Sequence, residues 1–277
     1  APAQYYDAFM LHADGNGDTL WTKIFGSSNY DDANSLKILA DGGYLLGGQS
    51  DNPGNGLDQY MIRTNPTGNV IWTTKLGTLG TDNVESIVVL SDGYMLAGST
   101  SLISGGDDDG YLVKTDTSGA FVWAKMYGDT APDDFHRVES TTDGGFILSG
   151  TTSSYGDENP NIWMVKTNSA GDTLWNRTFG RHNHDHGYSG QQTSDGGYII
   201  VGHTGSFGYN FEESYIAKLD GSGNITNPMT YTSVFDMLSP TNNSCGDSET
   251  PMEIVIKNYG RKTVANVPLT ISVTGST

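Results

Sequence analysis

Tryptophan returns in this chain at Trp21, Trp72, Trp123 and Trp175, at steps of 51, 51 and 52 residues, each time inside the same local text. The fullest copy reads Asp172-Thr173-Leu174-Trp175-Asn176-Arg177-Thr178-Phe179-Gly180. A period near 50 residues means one supersecondary unit laid down in tandem, with neighbouring units burying one another's apolar faces. No other feature narrows the choice of fold so far.

Each repeat can be read strand by strand. An apolar strand opens it: Ala8 to Ala13, Gln59 to Thr64, Gly110 to Thr115, Asn161 to Thr167, and a fifth from Ser214 to Leu219. Next comes a four-residue turn such as Asp14-Gly15-Asn16-Gly17 or Asn168-Ser169-Ala170-Gly171. Asp or Asn begins such a turn by bonding backbone N–H groups, and Gly closes it at positive φ. The tryptophan strand follows and ends at Gly26, Gly77, Gly128 or Gly180. Five residues on stands an acid, Asp31, Asp82, Asp133 or Asp185, which introduces a third strand such as Asn34 to Ala40 or Glu85 to Leu90. An Asp-Gly hairpin (Asp41-Gly42-Gly43-Tyr44 is one) leads to a fourth, almost wholly apolar strand. Continuous apolar character implies burial on both faces of a sheet. Four antiparallel strands per unit, covered on both faces, make a β-propeller blade, so the expected class is all-β with four full repeats and a partial fifth.

The register DGGY, apolar run, Gly, Thr or Ser, variable loop, apolar strand, turn, Trp resembles the repeats of secreted bacterial β-propeller proteins, often exported by the type IX route. It spans residues 7 to about 226. The resemblance implies a propeller scaffold at 1–232 and a secreted or cell-surface location, and it implies no activity. Residues 233–247 read as a polar linker around Pro240. Beyond it, Met252 to Asn258 and Val264 to Val273 alternate like two strands, resembling the start of an Ig-like domain at 248–277. About 30 residues cannot bury a core alone, so the expectation is a monomeric module of a larger chain.

Charge and composition exclude several function classes. The formal charge of −18 repels phosphate backbones, so no nucleic-acid partner is expected. No apolar run approaches 18 residues, so no membrane-spanning helix is expected. The lone Cys245 leaves no internal disulfide and no cysteine-rich metal site. Serine nucleophile elbows, phosphate loops and HExxH are absent.

Residues that recur at one register in every repeat read as scaffold: the four tryptophans, the four acids from Asp31 to Asp185, and the cations Arg63, Lys114, Lys166 and Lys218. An active site would break the repeat instead of following it. His182, His184 and His186 do break it, and in an extended backbone they would share one side, where three imidazoles can hold zinc. Asp14-Gly15-Asn16-Gly17-Asp18 resembles a calcium loop, but position 12 of such a loop is Phe25, so it reads as a hairpin turn. Asp107-Asp108-Asp109 is a further calcium candidate. No cofactor is required by any of this; calcium and zinc are the two ions with candidate ligands. The loops after Gly48, Gly98, Gly150 and Gly202 vary most and carry Tyr155, Phe207, Tyr209 and Phe211, rings able to stack on sugars. Varied loops on a constant frame suggest recognition. The expected function is therefore a non-catalytic binding module with a protein or glycan ligand. The alternatives are a glycan-active enzyme using paired carboxylates, or its accessory module, and a structural spacer.

Overall fold

The computed structural model describes residues 6–26, 29–53, 56–101, 107–157, 159–207 and 213–226, together with the backbone of 232–239 and 253–258. All regular structure among them is β. An antiparallel pair comes first, β1 (Ala8–Ala13) with β2 (Thr19–Phe25). Three four-stranded antiparallel sheets follow. The first of these runs β3 (Ser35–Ile38), β4 (Tyr44–Asn52), β5 (Gly56–Thr64), β6 (Val70–Leu76). The next runs β7 (Ser86–Leu90), β8 (Gly93–Thr100), β9 (Asp109–Thr115), β10 (Phe121–Tyr127). The last runs β11 (Asp133–Ser140), β12 (Phe146–Thr152), β13 (Asn161–Thr167), β14 (Thr173–Phe179). A three-stranded sheet, β15 (Asp185–Gln192), β16 (Tyr198–Thr204) and β17 (Glu213–Leu219), completes the series, and β18 (Thr232–Ser239) pairs with β19 (Glu253–Asn258).

The sheets are cut at a different place from the sequence repeat. The variable loops lie inside sheets, joining β4 to β5 and β8 to β9, while the segments carrying Asp31, Asp82, Asp133 and Asp185 pass from one sheet to the next. Each tryptophan strand is therefore the last of its sheet. The chain divides into three complete sheets flanked by partial ones, where four full repeats and a fifth were expected. The third strand is also shorter than expected, because Leu39 N–H already closes the hairpin on the Gly43 carbonyl at 2.8 Å. At the C-terminal end, part of the expected linker is strand β18, whose Val234 to Leu238 run is apolar enough to pair; β19 takes β18 as its partner. The expected strand from Val264 to Val273 lies outside the described residues.

The core consists of four apolar layers, each between two successive sheets. Alternate side chains of one strand serve two layers: Met61 packs forward on Val84, Ile87 and Leu96, whereas Ile62 packs back on Ala8, Met10 and Phe25. The pattern continues with Leu112 against Phe135 and Leu148, and Met164 against Ile200 and Tyr215. The first strands of neighbouring sheets touch in series, β3 with β7, β7 with β11, β11 with β15. The repeated sheets thus fan out from their first strands, a propeller-like arrangement.

The repeated polar residues clamp this frame. The turn acids accept N–H bonds as the sequence requires; Asp116 Oδ1 takes those of Ser118 at 2.8 Å and Ala120 at 3.0 Å. The turn is a hairpin, and Gly119 supplies φ +81°. Trp21, Trp72, Trp123 and Trp175 are half-buried, each lying over the turn glycine of the following sheet, Gly68, Gly119, Gly171 and Gly223. A Cβ on Gly119 would stand 2.8 Å from the Trp72 ring, so glycine is needed there twice over. Lys114 and Lys166, both buried, reach the hairpin acids Asp92 and Asp143 at 2.9 Å and the carbonyls of Thr115 and Thr167. Arg63 binds Asp41 in the same way.

Candidate functional site

The first strands touch in series, and two registers of polar residues lie on them or on the segments leading into them. Counting from the buried acids, the next residue is Asp32, Asn83, Asp134 and His186, and two further on stand Asn34, Glu85, His136 and Tyr188. The second register does not repeat, and the first holds Asp or Asn until His186 replaces it. Asn83, Glu85, Asp134, His136 and His186, together with Ser99, Asp108 and Thr151, line a cleft of about 340 Å³. That is within the size range of small-ligand sites.

Local geometry places each group. Asp134 Oδ1 accepts the Thr151 N–H at 3.0 Å and lies 3.4 Å from His136 Nε2. Asn83 takes the equivalent place one sheet earlier, accepting Ser99 N–H at 2.8 Å. Asn34 Nδ2 donates to the Val84 carbonyl at 3.3 Å and to Glu85 Oε1 at 3.4 Å. His136 and Tyr188 bring their rings to 5.7 Å. Burial raises the Glu85 carboxyl above the ordinary range; His136 opposes that shift, and Asp32 and Asp134 add to it. His186 is pushed down, first by burial and then by His203. Asp108 is raised by burial and by Asp134. The cleft can exchange protons and accept hydrogen bonds, and its surplus of carboxylates disfavours anions.

The residues expected from sequence fall differently. Tyr155 is half-buried, its hydroxyl donating to the Gly128 carbonyl at 2.9 Å and its ring 5.9 Å from Trp163. Phe207 packs on Tyr215 at 6.3 Å beneath the Arg181 guanidinium. Both rings are half-buried and pack against neighbouring aromatic side chains. Tyr209 and Phe211 lie outside the described residues. His182 is 92% exposed beside Asp157, and His184 is exposed 6.5 Å from His186, whereas His186 turns toward His203. Among the described residues no group of three or more His, Cys, Asp or Glu side chains is gathered as for one metal ion. Asp107 is exposed and Asp109 half-buried.

The four repeated acids are scaffold by their bonds. Asp133 accepts from the Thr152 hydroxyl, from Ser154 Oγ at 2.6 Å and from Asp129 N–H at 3.3 Å. Asp185 repeats this with Thr204, Ser206 and Arg181, and Asp31 with Ser50. Asp82 accepts the Thr78 N–H at 2.6 Å. Each pins an inter-sheet crossing.

These carboxyls set two opposed pH dependences. Asp143 is lowered to about 2 by the Thr141 hydroxyl and then Lys166; Asp92 is lowered by Lys114. Their stabilisation is complete above the ordinary Asp value of about 4 and disappears as pH falls through the folded value. Asp82, Glu85, Asp108 and Asp109 are raised, chiefly by burial. Their contribution is present below the ordinary value and is lost as pH rises through the folded one. Urea midpoints should therefore peak at about pH 4–5 and be lower at pH 2 and at pH 7. Glu85→Gln should flatten the neutral side of the curve, and a curve rising steadily to pH 7 would contradict the burial of these acids.

Compared with known proteins, the chain matches no family profile and no curated protein. Among solved structures, Sqt1 from Chaetomium thermophilum aligns with a TM-score of 0.38 at 11% identity, over 68% of this chain and 43% of that one. No described helix is long and apolar enough to cross a membrane.

Proposed function

We propose that the chain is a β-propeller section that serves as the binding module of an exported or cell-surface protein, taking a hydroxyl-rich ligand such as a glycan in the cleft along the first strands. The observation that carries this reading is asymmetry. Scaffold positions hold equivalent residues from sheet to sheet, while the cleft gathers Glu85, His136 and His186, which no other sheet repeats, around one cavity. Glu85 and Asp134 offer acceptors to hydroxyls, His136 offers a donor or acceptor, and Tyr188, 49% exposed beside it, offers a ring face.

The raised carboxyl of Glu85 favours one second reading, a glycan-active enzyme in which Glu85 is the general acid. A glycan array followed by a reducing-end assay on the bound glycans separates the two. The binding reading expects retention without release of new reducing ends, and weakening of at least about tenfold (~1.4 kcal/mol) in Glu85→Gln, His136→Ala. Glycan cleavage abolished by Glu85→Gln alone would replace it with the enzyme, and undiminished binding by the double variant would refute the cleft.

A further inference from the structure

His186 and His203 are direct cross-strand partners, one on β15 and one on β16, with ring centroids 4.7 Å apart. Neither position is histidine elsewhere in the series. The counterparts of His186 are Asp32, Asn83 and Asp134, and those of His203 are Gln49, Ser99 and Thr151. In the sheet beginning at β11 the same pairing is met by Asp134 Oδ1 accepting the Thr151 N–H. The last sheet has exchanged both members of that pair at once.

The hydrogen bonds decide what the two rings present. His203 Nδ1 lies 2.7 Å from the Tyr188 hydroxyl, and His186 Nδ1 lies 3.3 Å from Thr151 Oγ1. An imidazole whose Nδ1 is held by an outer partner is fixed in orientation and offers Nε2 to a ligand. Both Nε2 atoms lack a hydrogen-bond partner among the described residues. Two imidazoles on one tetrahedral ion hold their nitrogens roughly 3.3 Å apart at metal–nitrogen distances of about 2.0–2.1 Å. The two rings are already paired at 4.7 Å between centroids, tilted by 42°.

We propose that His186 and His203 bind a transition-metal dication of the zinc and copper class through their Nε2 atoms, with water in the remaining positions. Imidazole pairs suit these ions better than they suit calcium or magnesium. Tyr188 is a positioning residue that acts through His203. His186 also lines the cleft, but the inference does not rest on its glycan reading, since the metal needs no other ligand to bind.

The test uses the full chain and zinc chloride alone, followed by calorimetry and by the imidazole Hε1 signals in NMR spectra. One zinc per chain is expected, with the His186 and His203 signals shifting together and an increase in melting temperature. Binding should vanish in His186→Ala and in His203→Gln, persist in His182→Ala, and weaken about 10–100-fold in Tyr188→Phe. The wild-type spectra keep the proposal open to refutation even where a variant folds poorly. Zinc that shifts only His182 or His184, binding that survives His203→Gln, or no binding by the wild type would each overturn it.

Discussion

Replacing Trp163 by alanine should lower the unfolding free energy by about 3–5 kcal/mol in urea titrations, the range for a large aromatic removed from a packed core. Trp163 is 1% exposed and stacks on Phe135 at 4.5 Å and 14°. Its Nε1 donates to Asn176 Oδ1 at 2.7 Å. The ring belongs to the layer between the sheets beginning at β7 and β11, where a Cβ on Gly110 would already stand 3.0 Å from it. The cavity left between two sheets adds to the lost transfer energy. A loss under about 1 kcal/mol would mean that this layer is not packed as described.

The second large effect lies at an inter-sheet crossing. Asp185 is fully buried, and Asp185→Ala leaves the Thr204 hydroxyl, Ser206 Oγ and the Arg181 N–H without their acceptor. At ~1–3 kcal/mol for each buried group left unsatisfied, and with Ser206 and Arg181 able to reach water, the expected cost is roughly 2–4 kcal/mol. Asp185→Asn keeps the shape and one acceptor oxygen, so it should cost less than half as much. Equal losses in both variants would show that the charge, not the acceptor geometry, holds the crossing together.

Much of this frame could be read from sequence because its signals are local. Asn161 to Thr167 is bounded by an Asx-type turn, and that strand was delimited to the residue. The partition into sheets could not be read the same way. A hairpin loop and an inter-sheet crossing both look like polar text between apolar runs, and only pairing such as β4 with β5 separates them. The tryptophan period located the joints between sheets, yet the best-buried tryptophan is Trp163, which stands off that period. Tyr155 and Phe207 illustrate a further limit, since an aromatic in a variable loop reads the same whether it turns outward or inward. Glu85 and His136 were missed because they meet only when β7 and β11 lie side by side. One signal could have found them: at the two registers after the repeated acids, residue type changes while everything around it recurs.

The account's central claim is that recognition belongs to the strand-borne cleft and not to the variable loops, and one glycan-array comparison tests it most directly. Three proteins would be probed together: the wild type, Glu85→Gln with His136→Ala, and Tyr209→Ala with Phe211→Ala. The account predicts that the cleft variant loses the wild-type glycan signals while the loop variant keeps them. Signals retained by the cleft variant and lost by the loop variant would contradict it.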